Sequence, residues 1–205
     1  MMHVRFSLVA ADPQVLAGCI EYLRDEARPV VESQRGSLGL ALLEQPGVAV
    51  FESFWATQEA LWLSRDTEAV FQAELARRVK RPVPAEDYQV AAFEREGPPG
   101  EAIRLTRMQV KPAGVPDVVD VYGDTAVPWL VDTLGFRETL LFADPADGQL
   151  ISQTGWQTPA ARAASPSVAE MIQAEVLAED DCQVSAVEDY RLVFDSARKP
   201  GPAWW

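Results

Sequence analysis

Hydrophobic and polar residues alternate over residues 4–10, and the alternation stops at Asp12-Pro13. An aspartate followed by proline is typical of a helix N-cap and first helical position. The apolar residues that then recur at helical spacing are Leu16, Ile20, Leu23 and Ala27. The pattern predicts a strand followed by a helix, with a kink at Pro29 and a left-handed C-cap at Gly36.

The next segments predict two strands, residues 38–45 and 48–55, joined by a turn at Pro46-Gly47. A short helix follows Trp55, and a second helix has an apolar face formed by Phe71, Leu75 and Val79. A last strand is predicted over residues 88–94. The order of elements is therefore β-α-β-β-α-β.

The second half of the chain repeats the first at a nearly constant offset. At an offset of 99 the matches are Arg5 with Arg104, Pro29 with Pro128, Gly36 with Gly135, and Leu42 with Leu141. At 101 they are Gly47 with Gly148, Trp55 with Trp156, Thr57 with Thr158, Ala60 with Ala161, Ser64 with Ser165, and Gln72-Ala73-Glu74 with Gln173-Ala174-Glu175. At 102 Glu86-Asp87-Tyr88 matches Glu188-Asp189-Tyr190. Both changes of offset fall at predicted loops, so the series indicates a tandem duplication.

We predict two ferredoxin-like domains, residues 1–96 and 101–196, separated by a Gly-, Pro- and charge-rich linker around residues 94–102. The helical positions of the second copy are Val115, Val119, Tyr122, Ala126 and Trp129 in its first helix and Ile172 and Val176 in its second. Its last strand is predicted over residues 189–194.

Split β-α-β units of this order fold as α+β sandwiches with both helices on one face of an antiparallel sheet. The other sheet face must also be buried, and the second copy offers the matching surface. The sequence therefore predicts a pseudo-dimeric α/β barrel, as a monomer or as a further homodimer. Trp204-Trp205 is either a contact of such a dimer or an exposed tail.

The net charge of −13 disfavours nucleic acid and anionic membranes as partners, because such a surface repels phosphate groups. No apolar stretch is long enough to span a bilayer, and the N-terminus does not resemble a signal peptide. A cytoplasmic location is expected. Cys19 and Cys182 are then expected to be reduced, small apolar residues.

Few residues offer familiar chemistry. The sequence contains no phosphate-binding loop, nucleophile elbow, zinc cluster or dinucleotide fingerprint. The acidic turns at Asp144, Asp147 and Asp180-Asp181 lack metal-ligand spacing. The single histidine, His3, is interpreted as a solvated terminal residue, and no metal site is expected.

The run from Gly36 to Leu40, FESFWATQEAL in the first copy and QTGWQTPAA in the second resemble the antibiotic biosynthesis monooxygenase-like group of the dimeric α/β barrel superfamily. The resemblance covers nearly the whole chain, once per half. That group includes cofactor-independent oxygenases of aromatic polyketides or quinols and haem-degrading proteins. Ser64 and Ser165 occupy the position of the haem-degrading members' histidine, and the chain has no asparagine. The resemblance therefore argues against haem degradation.

The resemblance instead implies a cofactor-independent, monooxygenase-like oxidoreductase that acts on a small aromatic or quinone-type compound. Trp55 matches the family's tryptophan and would stack on the substrate, while Arg5 would stabilise developing negative charge. The candidate substrate-binding residues are Trp156, Arg104, Tyr88 and Tyr190. Neither a cofactor nor a metal is expected.

A structural interpretation of the same residues stays open. The tryptophans would anchor the core, the tyrosines would be strand residues, and the arginines would pair with Glu or Asp. The protein would then be a non-catalytic barrel that binds a ligand or assembles. If only one copy is functional, we expect the first, because the second has Gly155 beside its tryptophan.

Overall fold

The computed structural model describes residues 1–165 and 182–198. The elements of the first repeat are β1 (His3–Ala10), α1 (Pro13–Tyr22), a π-helical turn (Leu23–Ala27), α2 (Arg28–Ser33), β2 (Ser37–Gln45), β3 (Val48–Trp55), α3 (Gln58–Leu63), α4 (Arg65–Val79) and β4 (Ala85–Arg95). Those of the second are β5 (Ala102–Gln109), a 3₁₀ turn (Pro112–Gly114), α5 (Val115–Val121), a π-helical turn (Tyr122–Ala126), α6 (Val127–Val131), β6 (Phe136–Asp144), β7 (Gln149–Trp156), α7 (Pro159–Ala164) and β8 (Gln183–Asp195). The helix predicted around Ile172 and Val176 lies outside the described residues, as does Trp204-Trp205.

The eight strands form a closed antiparallel barrel in the order β1-β3-β2-β8-β5-β7-β6-β4. Within the first repeat this order is β4-β1-β3-β2, and within the second it is β8-β5-β7-β6. Both have the ferredoxin-like arrangement, in which the first and third strands are central. The predicted α+β barrel fold is confirmed.

The chain divides into two compact units whose limits fall inside strands β4 and β8. The first unit contains Met1–Tyr88 and the described residues from Leu192 onward, and the second contains Gln89–Arg191. Each unit therefore includes a strand end that the other repeat supplies. The repeat limits 1–96 and 101–196 describe sequence similarity and remain a prediction.

The first helix of each repeat contains one π-helical turn at the predicted kink. The amide of Arg28 donates to the carbonyl of Leu23, five residues earlier, and Val127 donates to Tyr122 in the same way. Pro29 and Pro128 come directly afterwards and have no amide to donate. The wider turn accommodates each proline without ending the helix.

Each unit has its own apolar core between helices and sheet. The first core includes Leu16, Cys19, Leu23, Val31, Leu42, Phe51, Trp55, Phe71 and Leu75. The second includes Met108, Val115, Val118, Tyr122, Leu130, Leu141, Leu150, Trp156 and Cys182. Both cysteines are free and buried, and burial raises the pKa of each thiol. None of the described helices is long and apolar enough to cross a bilayer.

Candidate functional site

Arg5 is the centre of a buried polar network on the helix-facing side of the first repeat. Its Nε and Nη2 donate to the two carboxylate oxygens of Asp87 at 2.6 and 2.8 Å. Its Nη1 forms an ion pair with Glu68 of α4. Paired on both sides by carboxylates, the guanidinium is fixed in orientation.

Trp55 joins this network through a serine. Its indole N–H donates to Ser53 Oγ at 3.1 Å, and Ser53 donates to Glu68 Oε1 at 2.6 Å. Strand register places Ser53 directly opposite Arg5. Trp55 is fully buried in the apolar core, so its N–H needs this partner. The resulting chain of contacts runs from Trp55 through Ser53 and Glu68 to Arg5 and Asp87.

Glu68 is the unusual group of the network, since only 4% of it is exposed. Burial raises the pKa of Glu68, although Arg5 and Ser53 both favour the charged carboxylate. Burial also opposes the charge of Arg5, but its hydrogen bonds to Asp87 and the negative charge of Glu68 outweigh burial and raise the pKa of Arg5. A carboxyl group with a raised pKa beside a fixed cation is suited to proton transfer.

His3 was expected to be a solvated terminal residue, and that interpretation is wrong. It is part of β1, faces Trp55 across the β1–β3 pair and is 8% exposed. Burial is the main cause that lowers its pKa, the N-terminal ammonium adds to it, and Asp87 opposes it. The alternation that predicted a strand from residue 4 therefore extends one residue further towards the N-terminus.

The network reaches the surface at Arg65, the first residue of α4. Arg65 Nη2 lies 3.4 Å from Asp87 Oδ2, and its guanidinium lies 5.3 Å from the centre of the Trp62 ring. Trp62 is 60% exposed, which is unusual for a tryptophan. Asp87 thus connects the buried Arg5 to a half-open surface where an aromatic ring and a cation meet.

The second repeat keeps part of this arrangement. Arg104 Nε donates to Asp189 Oδ1 at 3.0 Å, and the Trp156 N–H donates to Thr154 Oγ1 at 3.1 Å. Arg162 contacts the same aspartate, with its Nε 3.3 Å from Asp189 Oδ1. The repeated arginines therefore pair with carboxylates, as the structural interpretation of the sequence anticipates.

The two candidate tyrosines are away from Arg5 and Trp55. Tyr88 packs edge-on against Phe6 at 5.5 Å and donates to Glu86 at 2.8 Å. Side chains alternate between the faces of a strand, so Phe6 and Arg5 point to opposite faces of β1. Tyr190 donates to Glu188 at 3.3 Å in the second unit. The structure brings Trp55 and Arg5 together and leaves Tyr88 on the other face.

Glu68 was missed by the sequence analysis. It has no counterpart in the repeat, because the matching position holds Ala169. A search for repeated residues therefore passes over it. Its position four residues after the repeated Ser64 was the only signal available. Within the described residues, no three His, Cys, Asp or Glu side chains are grouped so that they could hold a metal ion.

No protein-family model matches the chain. Two uncharacterized proteins of Mycobacterium tuberculosis are similar to it. Rv2558 is 24% identical over 205 residues, which is 98% of this chain and 87% of the relative, and Rv2557 is 24% identical over 156 residues, which is 74% and 70%.

Solved structures share the fold over nearly the whole chain. An anthrone oxidase-like protein superimposes with a TM-score of 0.69 at 15% identity, over 98% of this chain and 96% of its own. A ferredoxin-fold protein from Listeria monocytogenes, related to antibiotic biosynthesis monooxygenases, superimposes with a TM-score of 0.55 at 10% identity, over 93% and 95%. The chain therefore has the fold of the monooxygenase-like proteins that are related to antibiotic biosynthesis monooxygenases.

Proposed function

We propose that the protein is a monooxygenase that binds a small aromatic or quinol-type compound in its first repeat and oxidises it with O₂, without a dedicated cofactor. The observation that supports this most is the buried Glu68, whose pKa is raised and which lies between the fixed guanidinium of Arg5 and Ser53. Such a group accepts a proton more readily than an exposed glutamate, because its charged form is poorly solvated.

Each residue of the network then has a chemical role. Glu68 removes the acidic proton of the substrate, and Arg5 stabilises the resulting anion. Trp55 supplies an aromatic surface beside it. With an anthrone-type substrate, the methylene carbon exchanges its two hydrogens for one oxygen atom of O₂, and the second oxygen atom leaves with those hydrogens as water. We place substrate entry at the Arg65–Asp87 pair, the exposed end of the network.

The same proposal assigns the proton transfer to the first repeat. Arg104 and Trp156 are present in the second repeat, but the position of Glu68 holds Ala169. The second repeat can then bind a related compound without removing its proton. A substrate-binding role for Tyr88 and Tyr190 remains a prediction, and in this proposal it is separate from the Glu68 network.

Oxygen uptake tests the proposal directly. Purified protein without added metal or flavin is supplied with anthrone and with a naphthoquinol, and O₂ consumption is compared with product formed. We expect one O₂ per product, and a loss of at least about 100-fold in Glu68→Gln, the scale of general-base catalysis. Exposed Glu59 provides the matched control, because Glu59→Gln removes the same charge from the neighbouring helix α3. No uptake by the wild-type protein with either compound would overturn the proposal.

A non-catalytic ligand-binding barrel is the second candidate, and one specific observation favours it. Glu68 and Asp87 together occupy every nitrogen of the Arg5 guanidinium, and Trp55 is fully buried. In that case calorimetry would detect binding of the aromatic compound while O₂ consumption stays at the level of buffer. Trp55→Phe would then weaken binding without any catalytic effect.

A further inference from the structure

A groove in the first unit lies at the C-terminal end of α4 and has a volume of about 440 Å³. The end of β1, the start of α1 and the turn between β2 and β3 form its other walls. Its lining residues are Ala11, Asp12, Val15, Gly47, Arg78, Val79, Lys80 and Arg81.

The groove is basic in an otherwise acidic protein. Three of its eight lining residues are cationic and one is acidic, whereas the whole chain has a net charge of −13. Four of the chain's eighteen basic residues fall within residues 77–81. Arg77 and Arg78 share one carboxylate, Glu74, whereas no ion pair is found for Lys80 or Arg81 among the described residues. Cations in the last turn also stabilise a helix, but that effect does not require a groove.

Two of the cations are held in place by the fold. Arg78 donates to Glu74 at 2.7 Å and to the Gly18 carbonyl at 3.1 Å, and it stacks 4.6 Å from the centre of the Tyr22 ring. Arg81 donates to the backbone carbonyl of Ala10. A carbonyl is neutral, so Arg81 keeps its full charge, and its side chain needs little further ordering when an anion binds.

Lys80 has a backbone conformation that glycine usually adopts. Its φ is +57°, and among the described residues it is the one non-glycine residue with a positive φ. It ends α4, and the amide of Arg81 donates to the Ala76 carbonyl at 3.2 Å. A side chain in this conformation is strained relative to glycine. Within the described residues the Lys80 ammonium has no hydrogen-bond or ion-pair partner. Neither a local contact nor the backbone conformation therefore explains why a lysine occupies this position.

This groove is separate from the Glu68 network. His3 pairs with Trp55 at one end of the β1–β3 ladder, whereas Ala10 pairs with Val48 at the other. Seven residue steps along the strand separate these pairs, a distance of about 23 Å. The groove therefore does not share its ligand with the candidate catalytic residues.

We infer that the groove binds the phosphate group of a small phosphate monoester. Lys80 and Arg81 contact the phosphate oxygens, and Arg78 adds positive charge at the wall. Asp12 would repel a bare dianion, so the ligand carries a hydroxyl or amino group that donates to this carboxylate. The strong negative charge of the whole molecule excludes long polyanions, which leaves a small metabolite as the occupant.

Two-dimensional NMR of the whole protein tests this inference with glycerol 3-phosphate, inorganic phosphate and glycerol as probes. We expect glycerol 3-phosphate to shift the amide signals of Gly47, Val79 and Lys80 and to bind more tightly than phosphate. Glycerol alone should cause no shift. Raising the salt concentration should weaken the binding, because the contacts are between charges at the surface.

The decisive variant is Lys80→Gly, which removes the ammonium and relieves the backbone conformation. Its thermal midpoint should equal or exceed that of the wild type, while its affinity for glycerol 3-phosphate falls about tenfold or more. Lys80→Arg should keep most of the affinity. Lys111→Gln changes the net charge equally in the second unit and should have no effect. Wild-type affinity in Lys80→Gly, or no shift of these amides with either phosphate compound, would overturn the inference.

Discussion

His3 is the only imidazole of the chain, so its titration can be followed without assignment ambiguity. Burial lowers its pKa, and the nearby Asp87 raises it. We expect the imidazole proton signals to titrate below the ordinary value of about 6.5. In Asp87→Asn the pKa should fall further. The neutral form is the one the fold favours, so this residue's contribution to stability is present above about pH 6.5 and is lost as the pH falls. A wild-type pKa at or above 6.5 would contradict the buried position.

A second buried group at the residue scale is Tyr122, which begins the π-helical turn of the second repeat. Its hydroxyl lies 2.5 Å from Thr139 Oγ1 and 2.9 Å from Ser152 Oγ. The matching positions of the first repeat are all apolar: Leu23, Leu40 and Phe51. At these equivalent core positions the second repeat therefore has a cluster of hydroxyl groups, whereas the first repeat has apolar side chains.

We expect Tyr122→Phe to lower the free energy of unfolding by about 1–2 kcal/mol, because it leaves Thr139 and Ser152 without their shared partner. Burial raises the pKa of Tyr122 to about 12. A raised pKa means that stability is lost as the pH rises from about 10 towards 12, and the phenylalanine variant should lack this loss. Urea unfolding at pH 8 and pH 10.5 measures both effects. If Tyr122 and Thr139 act together, adding Thr139→Val to the variant should cost less than it does alone.

The sequence predicted which polar residues belong to the candidate site better than it predicted which side chains they contact. Repetition identified Arg5, Asp87 and Trp55, and the structure places all three in one network. Glu68 links them, but it lies on a helix far along the chain and is absent from the second copy. Alternation shows which face a residue takes and says nothing about which helix covers that face.

At the scale of elements, the β2–β3 and β6–β7 hairpins each have a glycine in an equivalent cross-strand pair, but the glycine is on the first strand of one hairpin and on the second strand of the other. Gly39 pairs with Phe54 in the first, whereas Glu138 pairs with Gly155 in the second. A side chain at Gly39 would collide with the Ser196 carbonyl. In the second hairpin the missing side chain of Gly155 makes room for Glu138, which accepts a 2.7 Å hydrogen bond from Arg95.

Gly155→Ala should therefore lower stability by about 1–3 kcal/mol, since the new Cβ would lie 2.6 Å from Glu138 Cγ. The matched control is Gly18→Ala in α1, where no atom lies within 4 Å of the new Cβ. That change should raise stability by about 0.5–1 kcal/mol, because alanine favours a helix more than glycine does. Thermal unfolding measures the change in stability of both variants and of Gly155→Ala in a Glu138→Ala background. An equal loss in that background would show that Glu138 is not the group displaced.

The first helices show where element prediction stops. Proline at 29 and 128 predicts a disturbance of each helix, and a disturbance is present at both sites. The sequence does not specify its form, because a kink and a wider turn both accommodate a missing amide. The packing of the core selects the wider turn. Leu23 and Ala27, the first and last residues of the first π-helical turn, are both fully buried, and the wider turn keeps both side chains in the core.

At the scale of the whole molecule, the repeat in the sequence predicted the ferredoxin-like arrangement of the strands. It did not predict that the end of β4 belongs to the second compact unit and the end of β8 to the first. Residues 89–95 of β4 pair with β6. The amides of Ser196 and Arg198, which follow β8, donate to the carbonyls of Leu40 and Leu38 in β2. Neither β4 nor β8 contains a Gly or Pro that would mark these limits. The pattern therefore gives no sign of the residue at which each strand passes from one compact unit to the other.

This exchange predicts how the protein responds to separation of its repeats. A fragment of residues 1–97 lacks the strand end that begins at Leu192, and a fragment of residues 98–205 lacks Gln89–Arg95 of its own unit. Each fragment then exposes a strand edge whose backbone groups have lost their partners. We expect neither to show a cooperative thermal transition as a monomer, and we expect the mixture to regain one as a 1:1 complex. Circular dichroism with light scattering distinguishes these states. A monomeric fragment that melts cooperatively would show that the exchanged strand ends are dispensable, and the repeats would then be independent folding units.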